Sequence, residues 1–545
     1  MDNRNIKSGN IIRSDGYSDQ PYIVRTDDGH WLLTVTVCDG VEGQSGQHVV
    51  SMRSADKGVT WKDETDVSPI TLPESSYSVL YKTNYGRVYC FYNFNADNLR
   101  TVIADNPPFP DGKCVRVDTQ GHFVFRYSDD SGISWSEKWY DIPQRDFEVD
   151  RNNPYGGKVK FFWNVGKPFE LDGNVYVPLY KIGSFGIGFM RHSEGVLLKC
   201  SNINTEKDPS KLVWETLPDG DIGIRAPKEE SIISEEHSFV TLSDGSIFCV
   251  FRTISGHSYC CYSRDKGHSF TPPQVMTYAD GRKMKHPRAA NFIWKCQNGK
   301  YIYWFHNHGG KGYDDRNPVW LCGAYEYKAH DGIRLAFCQP VPVLYDENTA
   351  VRMSYPDLVE EDGEYYLTET QKETARVHKI DKSLIESLWN QDSICSDWTA
   401  IKEKMPDSKK LTLKGNSFSL RFEVPAGNSA ETLFSTMSSY GGMEIRRNAD
   451  GFIELLAGDG QRMHLFLNDD EILTDGKNHT VTAVFDGGVC AVYFVTDGRF
   501  CDGGEKRQFG FTRFDRELRF VHGLETPKTN KLQNLSFCEG IHLYD

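Results

Sequence analysis

Nowhere in its 545 residues does the chain carry an apolar run near the roughly 18 residues that a membrane-spanning helix needs. Positive charge is also in short supply. Lys and Arg number 62 against 76 Asp and Glu, a net charge of −14. That balance excludes the broad basic face that a nucleic acid or an anionic membrane would require. The opening residues, MDNRNIKSGN, hold no apolar leader, which predicts a cytoplasmic protein, or a secreted one from which a leader has been removed. Cys-x-x-Cys pairs and zinc spacings are missing. The 14 cysteines are scattered, with Cys260 and Cys261 adjacent, and read as reduced core thiols, with no metal or cofactor expected. Helical periodicity is scarce before residue 380. Core formers are plentiful: aromatics make up 13% of the chain against 25% charged residues, too many for a disordered polymer.

One pattern recurs along the first two thirds of the chain. A strand-like stretch meets a turn ending in Gly, and alternating apolar residues follow. The copies are VRTDDGHWLLTV, YKTNYGRVYCFY, FELDGNVYVPLY, VTLSDGSIFCVF, WKCQNGKYIYWF and VEEDGEYYLTET, with turn glycines Gly29, Gly86, Gly173, Gly245, Gly299 and Gly363. Asp-Gly and Asn-Gly favour tight turns that match strand twist, and the flanking Val, Ile, Tyr, Phe and Trp suit a pleated surface. Each interval has room for about four short strands, the content of one propeller blade. Six hairpins therefore predict six blades.

A second repeat reads Ser-x-Asp-x-Gly-x-Ser/Thr-aromatic. Its copies run Ser54 to Trp61, Ser128 to Trp135 and Ser263 to Phe270. The Asp bonds the local backbone, the Gly takes a dihedral closed to other residues, and the aromatic anchors the loop. After residue 380 the pattern changes. A short helix and a polar connector are expected over 381–414. Alternation then returns in SFSLRFEV, GFIELLAG, HTVTAVFD and CAVYFVTD, the spacing of a β-sandwich over 415–545. The fold class expected is all-β, a six-bladed β-propeller over 1–380 followed by a sandwich.

Hairpin geometry places side chains opposite one another at the strand ends away from the turns. Asp19 and Gln20 should face Asp39. Glu235, Glu236 and His237 should face Arg252. Arg288 and Asn291 should face His306 and His308, and Arg352 and Tyr355 should face Glu369. Ionisable groups that interrupt apolar strand ends at corresponding places point to a site at the rim. Trp163, Asn164, Tyr180 and Lys181 of the third hairpin are sugar-contact candidates or core. His48, in GQSGQHVV, is a general acid–base candidate or a structural histidine.

The Ser-x-Asp repeat resembles the Asp-boxes of the sialidase (neuraminidase) superfamily, and the likeness of organisation covers about residues 10–375. Tyr355-Pro-Asp357-Leu358 followed by Tyr366 and Glu369 resembles that family's nucleophile stretch. Glu235-Glu236-His237 before Arg252 resembles its Glu-before-hairpin, Arg-after-hairpin arrangement. The resemblance implies Tyr355 as nucleophile, Glu236 or Glu235 as its base, and Glu369 beside an arginine. It also implies Arg252 and Arg316 as clamps on a substrate carboxylate, with Arg288 a further candidate. The leaving-group acid would be Asp39 or Glu42. At the family's first clamp arginine this chain has Asp19, or Gln20 on a one-residue shift, and neither is a cation. That departure points to a terminal sugar other than ordinary sialic acid, held in part by Asp19 and Gln20 through its hydroxyls, with His237 and His306 nearby. The C-terminal part resembles laminin-G or concanavalin-like sandwiches.

The expectation is an exo-acting, retaining glycoside hydrolase with an oligosaccharide or polysaccharide substrate. Two alternatives stand beside it. One is a propeller lyase of uronic-acid glycans, with His48 or Tyr355 as base. The other is a non-catalytic sugar-binding protein.

Overall fold

The computed structural model describes residues 2–391, 396–401, 416–468, 473–518 and 527–544. Its first part is a six-bladed β-propeller. Each of the six predicted hairpins forms the first and second strands of one blade, and all six turn glycines take φ between 73° and 93°. The first blade runs Tyr17–Arg25, Trp31–Cys38, His48–Ser54 and Lys62–Asp66. The sixth runs Leu358–Glu361, Glu364–Thr370 and Ala375–Ile380, and its outer strand is Asn10–Arg13 from the start of the chain, with Asn10 opposite Val377. The ring is therefore closed by strand pairing between the two ends of the propeller segment.

The three Ser-x-Asp turns lie between the third and fourth strands of the first, second and fourth blades and share one hydrogen-bond pattern. In the second copy, Ser128 Oγ donates to Asp130 at 2.7 Å, Gly132 N donates to Ser128 Oγ at 2.8 Å, and Ser134 N donates to Asp130 at 2.9 Å. The turn packs on the preceding blade. A Cβ at Gly132 would stand 2.3 Å from Leu32 Cδ1, and Trp135 Nε1 donates to Ser51 of the first blade at 2.9 Å. The Gly-aromatic pair thus serves as glue between neighbouring blades, which the turn alone did not require.

Beyond Ile380 comes a short helix, Lys382–Ser387; of the expected connector, 392–395 and 402–414 lie outside the described residues. Two antiparallel sheets follow. One centres on Phe418–Val424, His479–Asp486 and Ala491–Thr496, the other on Glu431–Ser435, Gly442–Arg447 and Ile453–Gly458. Alternate residues such as Phe418, Leu420, Phe422, Ile445, Leu455 and Phe485 fill the space between them. The cysteines among the described residues are free thiols.

The sandwich shares a core with the fifth blade. Trp320 meets Tyr493, Phe500 and Phe511 at ring-centroid distances of 5.4, 5.2 and 6.1 Å. Arg513 Nη2 donates to Asn317 O at 2.7 Å, and Lys285 Nζ donates to the carbonyl of Arg507 at 2.7 Å. Trp320→Ala should cost about 3–5 kcal/mol, as cavities left by large aromatics do. The check is the midpoint of urea unfolding, with faster amide exchange expected across 502–513.

Candidate active site

Three of the inner strands carry a β-bulge, and each bulge holds a non-glycine residue at positive φ: Gln20 (57°), Tyr77 (57°) and Glu236 (54°). Tyr355, just before the inner strand of the sixth blade, has φ 47°. Such a conformation costs about 1–3 kcal/mol per residue and persists only where the surroundings enforce it. Two of these four kinked residues, Glu236 and Tyr355, meet. The Tyr355 phenol donates to Glu236 Oε1 at 2.8 Å. Arg252 Nη1 lies 2.8 Å from the same oxygen, while Glu236 Oε2 has no hydrogen-bond partner.

Burial pushes both pKa values up: Tyr355 stays a phenol, and the Glu236 carboxyl sits above its ordinary range despite Arg252. Glu235 goes the other way. Burial favours its neutral form, but Arg288 at 2.6 Å and Arg252 at 2.9 Å outweigh this and hold it ionised. The two adjacent glutamates are therefore tuned apart, which suits Glu236 as proton acceptor and Glu235 as a fixed counter-charge.

The pair opens into a pocket of about 250 Å³ lined by Glu42, Arg116, Trp163, Phe189, Met190, Arg252, Tyr313, Arg316, Arg352, Ser354, Tyr355 and Lys372. Most of these residues lie on the loops between second and third strands, at the rim opposite the Gly turns. Arg252, Arg288 and Arg316 gather around the Tyr313 ring at 5.6, 4.6 and 6.0 Å. Arg316 is the exceptional one. It is buried, its Nη1 donates to Ser354 Oγ at 2.6 Å, its Nη2 donates to Arg288 O at 3.3 Å, and its Nε has no partner. Among the described residues no carboxylate lies within ion-pair distance of it, and burial pushes its pKa down.

Across the pocket, Lys372 reaches Asp19 at 2.6 Å and Glu42 at 3.3 Å, with its ammonium 4.3 Å from the centroid of the Tyr355 ring. Arg116 pairs with Asp118 at 2.7 Å and Glu42 at 3.4 Å, and Tyr77 Oη donates to Glu42 at 3.2 Å. Burial pulls the Glu42 pKa up, but Lys372 and Arg116 overcome this and hold it at about 2. Burial pushes the fully enclosed Asp19 up.

Of the residues expected at the site, Tyr355, Glu236, Glu235, Arg252, Arg288, Arg316, Glu42 and Asp19 come together. Others do not. Asp39 is exposed: Asp19 faces Thr36, and Asp39 lies past the strand end. His48 bonds Gly46 O at 2.9 Å and touches none of these groups. Glu369 turns toward the third strand of its blade, 3.2 Å from His378 and 3.8 Å from its cross-strand partner Arg376, rather than facing the pocket. Gln20 is buried and donates to Asn164 O at 3.1 Å. His237 stacks on Phe251 at 4.6 Å and bonds Ile224 O; burial lowers its pKa to about 3. His306 is buried against His286, at 6.2 Å, and does not line the pocket. Lys181 is committed to a buried pair with Asp150 at 2.7 Å.

Sequence reasoning missed Lys372, Arg116, Asp118 and Tyr313. Each lies on a loop between second and third strands, or close to one, and that loop position is the signal that could have found them. Among the described residues, one set of three metal-ligating groups comes together, Glu215, Asp219 and His268 at the surface, and none of them lines the pocket.

No protein-family model matches the chain, and no curated protein sequence matches it. Among solved structures, it is similar to a protein of unknown function from Dyadobacter fermentans, at 15% identity over 68% of this chain and 98% of that one (TM-score 0.46). It is also similar to the intramolecular trans-sialidase of Ruminococcus gnavus, at 13% identity over 69% and 98% (TM-score 0.47). A third is the Trypanosoma rangeli sialidase, at 11% identity over 96% and 91% (TM-score 0.46).

Glu42 supplies a pH-dependent test. Its folded pKa of about 2 lies below the ordinary 4.5, so it contributes stability at higher pH that is lost as pH falls toward the folded value. The stability difference between wild type and Glu42→Gln should be constant above about pH 5 and shrink toward about pH 2. In a Lys372→Met background the difference should be smaller throughout. Urea midpoints measured across this range are the check.

Proposed function

We propose that the chain is a retaining, exo-acting glycoside hydrolase that removes a terminal acidic sugar through a tyrosine nucleophile. The observation that carries this reading is the 2.8 Å hydrogen bond from the Tyr355 phenol to Glu236, set at the floor of a pocket beside the buried, unpaired Arg316. A phenol is a poor nucleophile unless a base takes its proton during attack, and a carboxylate with a raised pKa is suited to that task. A neutral phenol also approaches an acidic sugar without the repulsion that a carboxylate nucleophile would meet, the recognised exception to the two-carboxylate rule.

In the first step Tyr355 Oη bonds to the anomeric carbon, its proton passes to Glu236, and the glycosidic bond breaks with its electrons leaving on the departing oxygen. That oxygen needs a proton. Glu42 is the pocket carboxylate placed to give it, although in the free protein it is ionised. An anionic sugar seated on Arg316 adds negative charge to the pocket and raises the Glu42 pKa, so that Glu42 takes up one proton from solvent as substrate binds, the proton it then gives to the leaving oxygen. In the second step a water attacks the anomeric carbon, gives its proton to Glu42, and the sugar–tyrosine bond breaks as Glu236 returns the proton to Tyr355. Two inversions leave the configuration retained.

Release of sugar from a panel of chromogenic acidic glycosides should fall by about 10³-fold or more in Tyr355→Phe, with sugar binding retained. Incubation with a slow fluorinated glycoside should leave the sugar covalently attached to the peptide carrying Tyr355, read by mass spectrometry. Full activity in Tyr355→Phe would overturn the reading. An unsaturated, ultraviolet-absorbing product would replace hydrolysis by elimination, with Tyr355 as base.

A further inference from the structure

Five cations line the pocket: Arg116, Arg252, Arg316, Arg352 and Lys372. Three are neutralised from within the protein. Arg116 has Asp118 and Glu42, Arg252 has Glu235 and Glu236, and Lys372 has Asp19 and Glu42. Arg352 is solvated, 54% exposed, with Asp314 3.7 Å away. Among the described residues, Arg316 alone of the five is both buried and without a carboxylate at ion-pair distance.

Asp19, like Asp118, Glu235 and Glu236 and unlike Glu42, is enclosed and does not line the pocket. It stands behind Lys372, with Oδ2 accepting from the ammonium at 2.6 Å and from Tyr17 Oη at 2.8 Å, and Oδ1 accepting from Gln20 N at 3.0 Å. Every oxygen of this carboxylate is thus engaged by the fold, and a buried carboxylate is costly unless it is paired in this way. On its pocket side the same ammonium meets only Glu42 and the Tyr355 ring. A ligand anion arriving there would compete with two protein carboxylates already present.

We propose that Asp19 determines the specificity of the pocket: as a counter-anion built into the fold it occupies Lys372, so that the site takes sugars bearing one anionic group, seated on Arg316, and meets sugar hydroxyls at the Lys372–Glu42 corner. This rests on the pocket being the sugar site named above, and not on the hydrolytic step. Removing the Asp19 charge while keeping its shape leaves the ammonium with Glu42 alone, a carboxylate it shares with Arg116, and turns the corner into a second anion subsite facing Arg316.

The experiment is calorimetric titration of the full chain with glucuronic acid, N-acetylneuraminic acid and glucose. In Asp19→Asn, the affinity for at least one of the acids should rise by about tenfold or more, with glucose unchanged within about twofold. The gain should vanish in the Asp19→Asn/Lys372→Met double variant. Asp19→Ser, whose melting temperature is checked alongside, gives the same comparison if the Asn variant folds poorly. Unchanged acid affinity, an equal gain for glucose, a gain that survives loss of Lys372, or no acid binding by any variant would each overturn the proposal. The titrations are repeated in Tyr355→Phe, where the gain should persist. A chain that shows this gain but hydrolyses nothing overturns the reaction proposed above and leaves the role of Asp19 standing.

Discussion

A ring of six sheets has to be closed, and the join between the sixth and first blades is where this molecule does it. Asn10–Arg13 pairs with Ala375–Ile380 on the outside of the ring. On the inside, Ser18 N donates to Lys372 O at 2.8 Å, and Ile23 N donates to Asp357 at 2.8 Å. Asp357 is in turn held by Lys167 of the third blade at 2.7 Å. Apart from the Lys167–Asp357 pair, these bonds tie residues more than 330 positions apart in the chain. The loop order at that join follows from them: Lys372 can reach Asp19 only because the last blade is sewn to the first. The Tyr355–Glu236 hydrogen bond likewise spans blades, the sixth and the fourth.

Within the closed ring the controlling quantity is desolvated charge. Eleven ionisable side chains gather in and behind the pocket: Asp19, Glu42, Asp118, Glu235, Glu236, Arg116, Arg252, Arg288, Arg316, Arg352 and Lys372. Burying such groups is tolerated when each finds a partner of opposite sign. Most of them do, and the two departures from full compensation are informative. Among the described residues, Arg316 has no anion at ion-pair distance, and Glu236 keeps one carboxylate oxygen unbonded beside a phenol. A protein interior retains such imbalances chiefly where a ligand or a proton transfer makes use of them.

The sandwich bears on this arrangement without lining it. Its 502–513 segment packs on the fifth blade through Phe511 and Trp320, and His308 rests against Phe509 at 4.9 Å. Arg513 bonds the carbonyl of Asn317, the residue after Arg316. The loop that delivers an unpaired guanidinium to the pocket is thereby held from outside. Such a loop needs bracing, because a long side chain left free would swing out to water.

The sequence by itself determined the parts that depend on local rules. The six Gly turns, the alternation around them and the three Ser-x-Asp turns specify six hairpins, because turn chemistry and the two-residue strand period act over a few neighbours. Tyr355, Glu236 and Arg252 were legible as polar interruptions at corresponding strand ends, and Arg316 only through the motif resemblance. Only the tertiary structure decided which carboxylates face the axis. Asp39 and Glu42 lie three residues apart, yet one is in solvent and the other in the pocket, because Asp39 stands just past the end of its strand while Glu42, further along the loop, meets Lys372 and Arg116. Glu369 and Asp19 were equally plausible polar residues at strand ends. Cross-strand Arg376 and His378 draw the first outward, and a lysine from the far end of the propeller draws in the second. Long-range pairing of charges has no sequence period, so it emerges only once the ring closes.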